Sequence, residues 1–125
     1  MKISKEAIPV RMESPGTVMR SLPGYGGMTV AFNEMPAGTD IGPLLEGLEH
    51  NSCQCPHWGY VVEGAVLIKY DDGTEEKLNA GDVFYLPPGH TAIVEKDLKM
   101  IDFSPEDELK KVMEHIEKKL AEFSK

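Results

Sequence analysis

Cys53-Gln54-Cys55-Pro56-His57-Trp58-Gly59-Tyr60-Val61-Val62-Glu63-Gly64 is the stretch on which the reading of this 125-residue chain turns. It sets both cysteines and one of the four histidines at the head of an apolar, β-prone run. A second stretch, Gly81-Asp82-Val83-Phe84-Tyr85-Leu86-Pro87-Pro88-Gly89-His90, ends another apolar run in a forced reversal that carries a further histidine. Thiolate and imidazole are ligands that zinc and iron take readily. A fold that joins the two stretches would assemble a metal site.

Outward from these stretches, short apolar runs alternate with turn signals from Val10 to Phe103, an all-β rhythm. Thr17–Met19 and Met28–Phe32 read as strands separated by the glycine-rich turn at 23–27. Gly59–Val62 and Ala65–Tyr70 flank Glu63-Gly64, which reads as a two-residue hairpin loop. Glu75–Leu78, Val83–Leu86, Thr91–Val94 and Leu98–Phe103 bring the total to about eight strands, near the number whose closed barrel holds a small ligand. The segment from Pro36 to Asn51 is long for a loop and suits a lid built on Leu44, Leu45 and Leu48.

Composition shifts after Phe103. Ser104-Pro105-Glu106-Asp107 reads as a helix start, with a serine cap, proline at the first helical position and acids in the first turn. Leu109, Val112, Met113, Ile116, Leu120 and Phe123 then form one apolar stripe. That stripe has two possible partners, the outside of this barrel or a second subunit.

The 41% hydrophobic and 27% charged residues suit a soluble domain rather than a disordered chain. A formal charge of −8 argues against nucleic acid or an anionic membrane as partner. With no secretory h-region and no apolar stretch near the ~18 residues of a membrane span, a cytoplasmic location is expected. Cys53 and Cys55 are too close for an unstrained disulfide, so reduced thiols are expected.

These residues resemble the cupin family, small β-barrels whose second motif reads G-x5-P-x-G-x2-H-x3-N and whose first reads G-x5-H-x-H-x(3,4)-E-x6-G. Gly81, Pro87 and Gly89 fill the turn positions of the second motif and Gly64 the last glycine of the first. The usual ligands depart from the pattern. The glutamate slot holds His57, the histidine slots of the first motif hold Asn51 and Cys53, and the later histidine and asparagine slots hold Ala92 and Lys96. C-x-C-P-H-W-G-Y, P-P-G-H-T and F-S-P are also similar to a group of small single-domain prokaryotic cupins.

The resemblance implies a cupin-type jelly-roll barrel over about 10–103 and a helix over about 105–123, in one domain spanning 1–125. It also implies a homodimer, and a cavity holding a divalent transition metal, zinc or iron(II), with a small molecule. The expected metal residues are His57, His90, Cys53 and Cys55, since 53, 55 and 57 would share one face of a strand. Trp58 and Tyr60, of opposite parity, should point away from the cavity. Glu13 and Glu34 are lesser candidates for a carboxylate ligand or base, and His50 and His115 are read as solvated. A metal enzyme, a non-catalytic binding or sensing module, and a metal-free barrel stay open. Ligand number separates the first two, because two thiolates and two imidazoles close the sphere whereas three donors leave a position for water or substrate.

Overall fold

The computed structural model describes residues 1–123. Seven strands and two helices follow in the order β1 (Val10–Ser14), β2 (Thr17–Tyr25), β3 (Met28–Met35), α1 (Gly42–Leu45), β4 (His57–Tyr70), β5 (Glu75–Asn79), β6 (Val83–Leu86), β7 (His90–Pro105) and α2 (Glu106–Phe123). All strand pairings are antiparallel, in the order β1-β2-β3-β7-β4-β5, and β6 adds to β4. The architecture is the expected β-barrel of jelly-roll type with a C-terminal helix.

Two long bent strands replace four of the expected short ones. Glu63-Gly64 is not a hairpin loop; the register shifts there, yet β4 continues to Tyr70. Gly64 has φ +90°, and a Cβ on it would strike the Asp97 carbonyl, so only glycine lets β4 and β7 cross this close. Because of that bend, β4 pairs with Lys99–Phe103 and β6 in its first half, and with His90–Lys96 and β5 in its second.

β7 likewise runs unbroken through the two segments read as separate strands, and on to Pro105. The helix therefore begins at Glu106 rather than on a Ser104 cap. Most of the apolar stripe of α2 packs within this chain: Val112 and Ile116 pack with Leu45, Cys53 and Cys55, flanked by Leu109, Met113 and Leu120, while Phe123 stays exposed. His115 is half-buried on the helix surface, and its Nε2 donates to the Glu46 carbonyl at 2.7 Å, tying α2 to the segment before β4. Within that segment Leu45 is 1% exposed, so the long connection is anchored over the barrel.

A second cluster fills the barrel: Met35, Val61, Val66, Ile68, Leu78, Phe84, Leu86, Val94 and Leu98. Met35 in that cluster fixes the odd-numbered residues of β3 as inward-facing.

Candidate metal centre

The site is built where three chain segments meet. Cys53 pairs with His90 by backbone: its amide donates to the His90 carbonyl at 2.8 Å, and its own carbonyl accepts from Gly89 at 2.7 Å. Gly89 holds φ +93°, the conformation that turns the Pro87-Pro88 reversal back into β7. His57 opens β4 opposite Leu86 on β6, the strand that leads into this turn. The thiol-rich stretch and the proline reversal are thus in direct contact.

One ligand atom each from Cys53, His57 and His90 lie within 4.8 Å of one another. Cys53 Sγ is 3.5 Å from His57 Nε2, and the two imidazole centroids are 5.0 Å apart. Zinc bonds of about 2.3 Å to sulfur and about 2.0–2.1 Å to nitrogen, in tetrahedral geometry, separate sulfur from nitrogen by roughly 3.5 Å. The Cys53–His57 pair matches that spacing, and His90 brings the third donor within 4.8 Å of both. His90 Nδ1 donates to the Pro87 carbonyl at 2.8 Å, which leaves its Nε2 lone pair free.

Burial keeps the trio uncharged. His57 is held down to about 4 by desolvation, and His90 to about 4 by desolvation and by the neighbouring His57. Desolvation likewise raises the Cys53 thiol to about 11. At neutral pH both imidazoles are therefore neutral, the form that ligates metal, while the thiol still carries the proton an ion must displace.

Cys55 does not join this group. Residues 53–56 are not part of a strand, so the alternation that would have aligned 53, 55 and 57 does not operate there. Its thiol is completely buried against the Pro56 carbonyl, 3.4 Å away, in the cluster under α2, and burial pushes it up to about 12. Neither early glutamate approaches the centre: Glu13 is exposed, and Glu34 forms ion pairs with Lys5 and Lys99. Trp58 and Tyr60 point outward, as expected, and are 43% and 44% exposed.

Two residues escaped the sequence reading. Ser104, fully buried, sets its Oγ 2.6 Å from His57 Nδ1, and Asp102 lies two residues earlier on the same inward face of β7. Burial drives the Asp102 carboxyl up to about 7, against the opposing hydrogen bond from Ser104. The available signal was the alternation 98, 100, 102, 104; reading Ser104-Pro105 as a helix cap cut it short.

A surface cleft of about 460 Å³ lies elsewhere, between Tyr70, Asp71, Asp72, Thr74, Glu76, Tyr85 and Pro87–Gly89. None of the three donors lines it.

Residues 49–102 match the family model described as the EutQ-like cupin domain. Among solved structures, an RmlC-like cupin from Shewanella frigidimarina aligns with TM-score 0.59 and 24% identity over 82% of this chain and 88% of its own. KdgF from Halomonas sp. aligns with TM-score 0.57 and 24% identity over 82% and 90%. Bacillus subtilis oxalate decarboxylase aligns with TM-score 0.62 and 14% identity over 82% of this chain but only 28% of the decarboxylase. No curated protein matches. At these identities the structural likenesses speak for fold alone; together with the family match over residues 49–102, less than half of the chain, they support a small protein of the cupin superfamily.

Proposed function

We propose that this cupin holds a divalent transition metal, zinc or iron(II), on Cys53, His57 and His90, and admits a small molecule beside it. The observation that carries the reading is the convergence of three donors within 4.8 Å while Cys55 stays outside. An ion held by three protein donors keeps a position for water or substrate and acts there as a Lewis acid. This favours a metal-dependent enzyme over a sensing module with a closed sphere. A thiolate donor suits zinc or iron(II) better than the manganese named for the Bacillus subtilis oxalate decarboxylase centres.

In this reading Cys53 supplies charge, His57 and His90 supply neutral lone pairs, and the bonds from Pro87 and Ser104 hold both rings in place. Metal analysis of untagged protein tests it. One ion per chain is expected in the wild type and none in Cys53→Ala or His57→Ala; stoichiometric metal surviving both substitutions would refute the site.

The exposed face of β4, β6 and β7 supports a homodimer. Trp58, Tyr60, Val62, Val83, Tyr85 and Phe103 are all exposed, and Trp58 stacks on Tyr85 at 5.1 Å. At about 150–250 Å² for a whole aromatic side chain, they leave roughly 500 Å² per chain, so two copies reach the ~1,000 Å² floor of a specific interface. Chains of charge −8 repel one another, and an uncharged face is where two copies can meet.

A further inference from the structure

We propose that Ser104 and Asp102 form a positioning pair that fixes the His57 ring with its proton on Nδ1, so that the Nε2 lone pair is turned toward the metal position beside Cys53. The purpose of the pair rests on the metal reading above; its geometry does not.

A serine hydroxyl gives one proton and accepts through its lone pairs, whereas an ionised carboxylate only accepts. Ser104 is 0% exposed, so no bulk water competes for its hydroxyl. Asp102, 6% exposed and two residues away on the same inward face of β7, is the strong acceptor on which the Ser104 proton rests, since the nearby Cys55 thiol keeps its own proton and accepts only weakly. With its one proton directed there, the Ser104 oxygen 2.6 Å from His57 Nδ1 is left as an acceptor. Nδ1 must then carry the proton, and the chain of donors runs one way, from imidazole to hydroxyl to carboxylate.

His90 reaches the same state by a separate route, because the Pro87 carbonyl at 2.8 Å can only accept. The two rings are thus set alike by unrelated contacts, one from a turn and one from the far end of β7. Without such a pair, the proton of His57 could sit on Nε2 and face Cys53 Sγ at 3.5 Å. That tautomer has no lone pair to offer an ion at this position. Partners that fix ligand tautomers in this way commonly matter about 10–100-fold in metal affinity.

The test reads the tautomer directly, from the ring-nitrogen shifts of His57 in ¹⁵N-labelled, metal-free protein at pH 8. Wild type is expected to carry hydrogen on Nδ1, and Ser104→Thr, which keeps the hydroxyl, to match it. Ser104→Ala should populate the Nε2 tautomer. Asp102→Asn should do so further, since the new amide can donate to Ser104 and reverse the chain. Cobalt(II) affinity should fall about 10–100-fold in Ser104→Ala and Asp102→Asn. A His57 tautomer unmoved in both variants overturns the pair, whatever the affinity does. Wild type that binds no cobalt would instead sink the metal reading, while the nitrogen shifts still decide this one.

Discussion

The same two strands line two unlike interiors. Around Val61, Val66, Val94 and Leu98, β4 and β7 carry aliphatic side chains that fill the barrel; around His57, Asp102 and Ser104 they carry buried polar groups. The first region lowers free energy simply by excluding water. The second is buried at a cost, visible in how far each titratable group there is pushed toward its uncharged form. Stability and chemistry are therefore separable along a single strand, and substitutions can test that.

The largest expected effect is on the aliphatic side. Leu98, 2% exposed within the barrel cluster, should cost about 2–5 kcal/mol of unfolding free energy as Leu98→Ala, measured by urea titration. Metal stoichiometry of the folded variant should not change. A loss of metal in folded Leu98→Ala would show that the two regions are not separable.

The polar side should reveal itself through pH. His57 and His90 take up protons at about 6.5 when unfolded but only at about 4 when folded, so the folded state binds fewer protons between those values and loses stability as pH falls through the window. Asp102 opposes this: its folded value of about 7 gives stability present at low pH and lost as pH rises from 3.8 to 7. Two groups against one leave a net loss on acidification, at most about 3 kcal/mol at ~1.4 kcal/mol per unit. Above pH 9 the buried thiols reverse the slope, because the folded chain keeps protons that the unfolded chain releases. Metal-free protein should thus be most stable between about pH 6.5 and 9, by melting temperature across buffers. Added zinc should bind about tenfold tighter per pH unit above 7, since one thiol proton must leave. A flat pH profile in metal-free protein would mean that the polar region is wetter than its burial indicates.

What the sequence made legible follows the same division. Turn residues are local, and Gly64, Gly81, Pro87 and Gly89 sit at the bends and reversals where the family pattern put them. The donors Cys53, His57 and His90 were legible because thiol and imidazole are rare and stood beside those turns. Two features were not legible. Whether Gly64 ends a strand or bends it depends on Asp97, 33 positions away in the chain, whose carbonyl no local pattern reveals. Ser104 looks like a cap to any local reading, and only the continuation of β7 beside β3 and β4 turns it inward.

The outward side of the same strands gives a smaller effect, on assembly. Trp58→Lys should leave the candidate metal centre intact, since the indole points away from it, yet shift the proposed dimer to monomer in sedimentation at micromolar concentration. A dimer unchanged by Trp58→Lys would move the interface off this face.

Cys55 gives the smallest effect and the sharpest contrast, because it shares the cluster under α2 with Cys53 yet its sulfur is not one of the three converging donors. Its sulfur is sealed among Leu45, Val112 and Ile116, so Cys55→Ala should cost about 1 kcal/mol, the loss of one small apolar group. Metal stoichiometry should stay at the proposed one per chain, whereas Cys53→Ala should abolish it. The alkaline limb of the stability profile should shrink by about half, because one of the two buried thiols that resist ionisation is gone and Cys53 remains. If Cys55→Ala instead releases the metal, the thiol must swing into the coordination sphere when the ion binds. The sphere would then be closed by two thiolates and two imidazoles, and the protein would be a binding or sensing module rather than an enzyme with an open site.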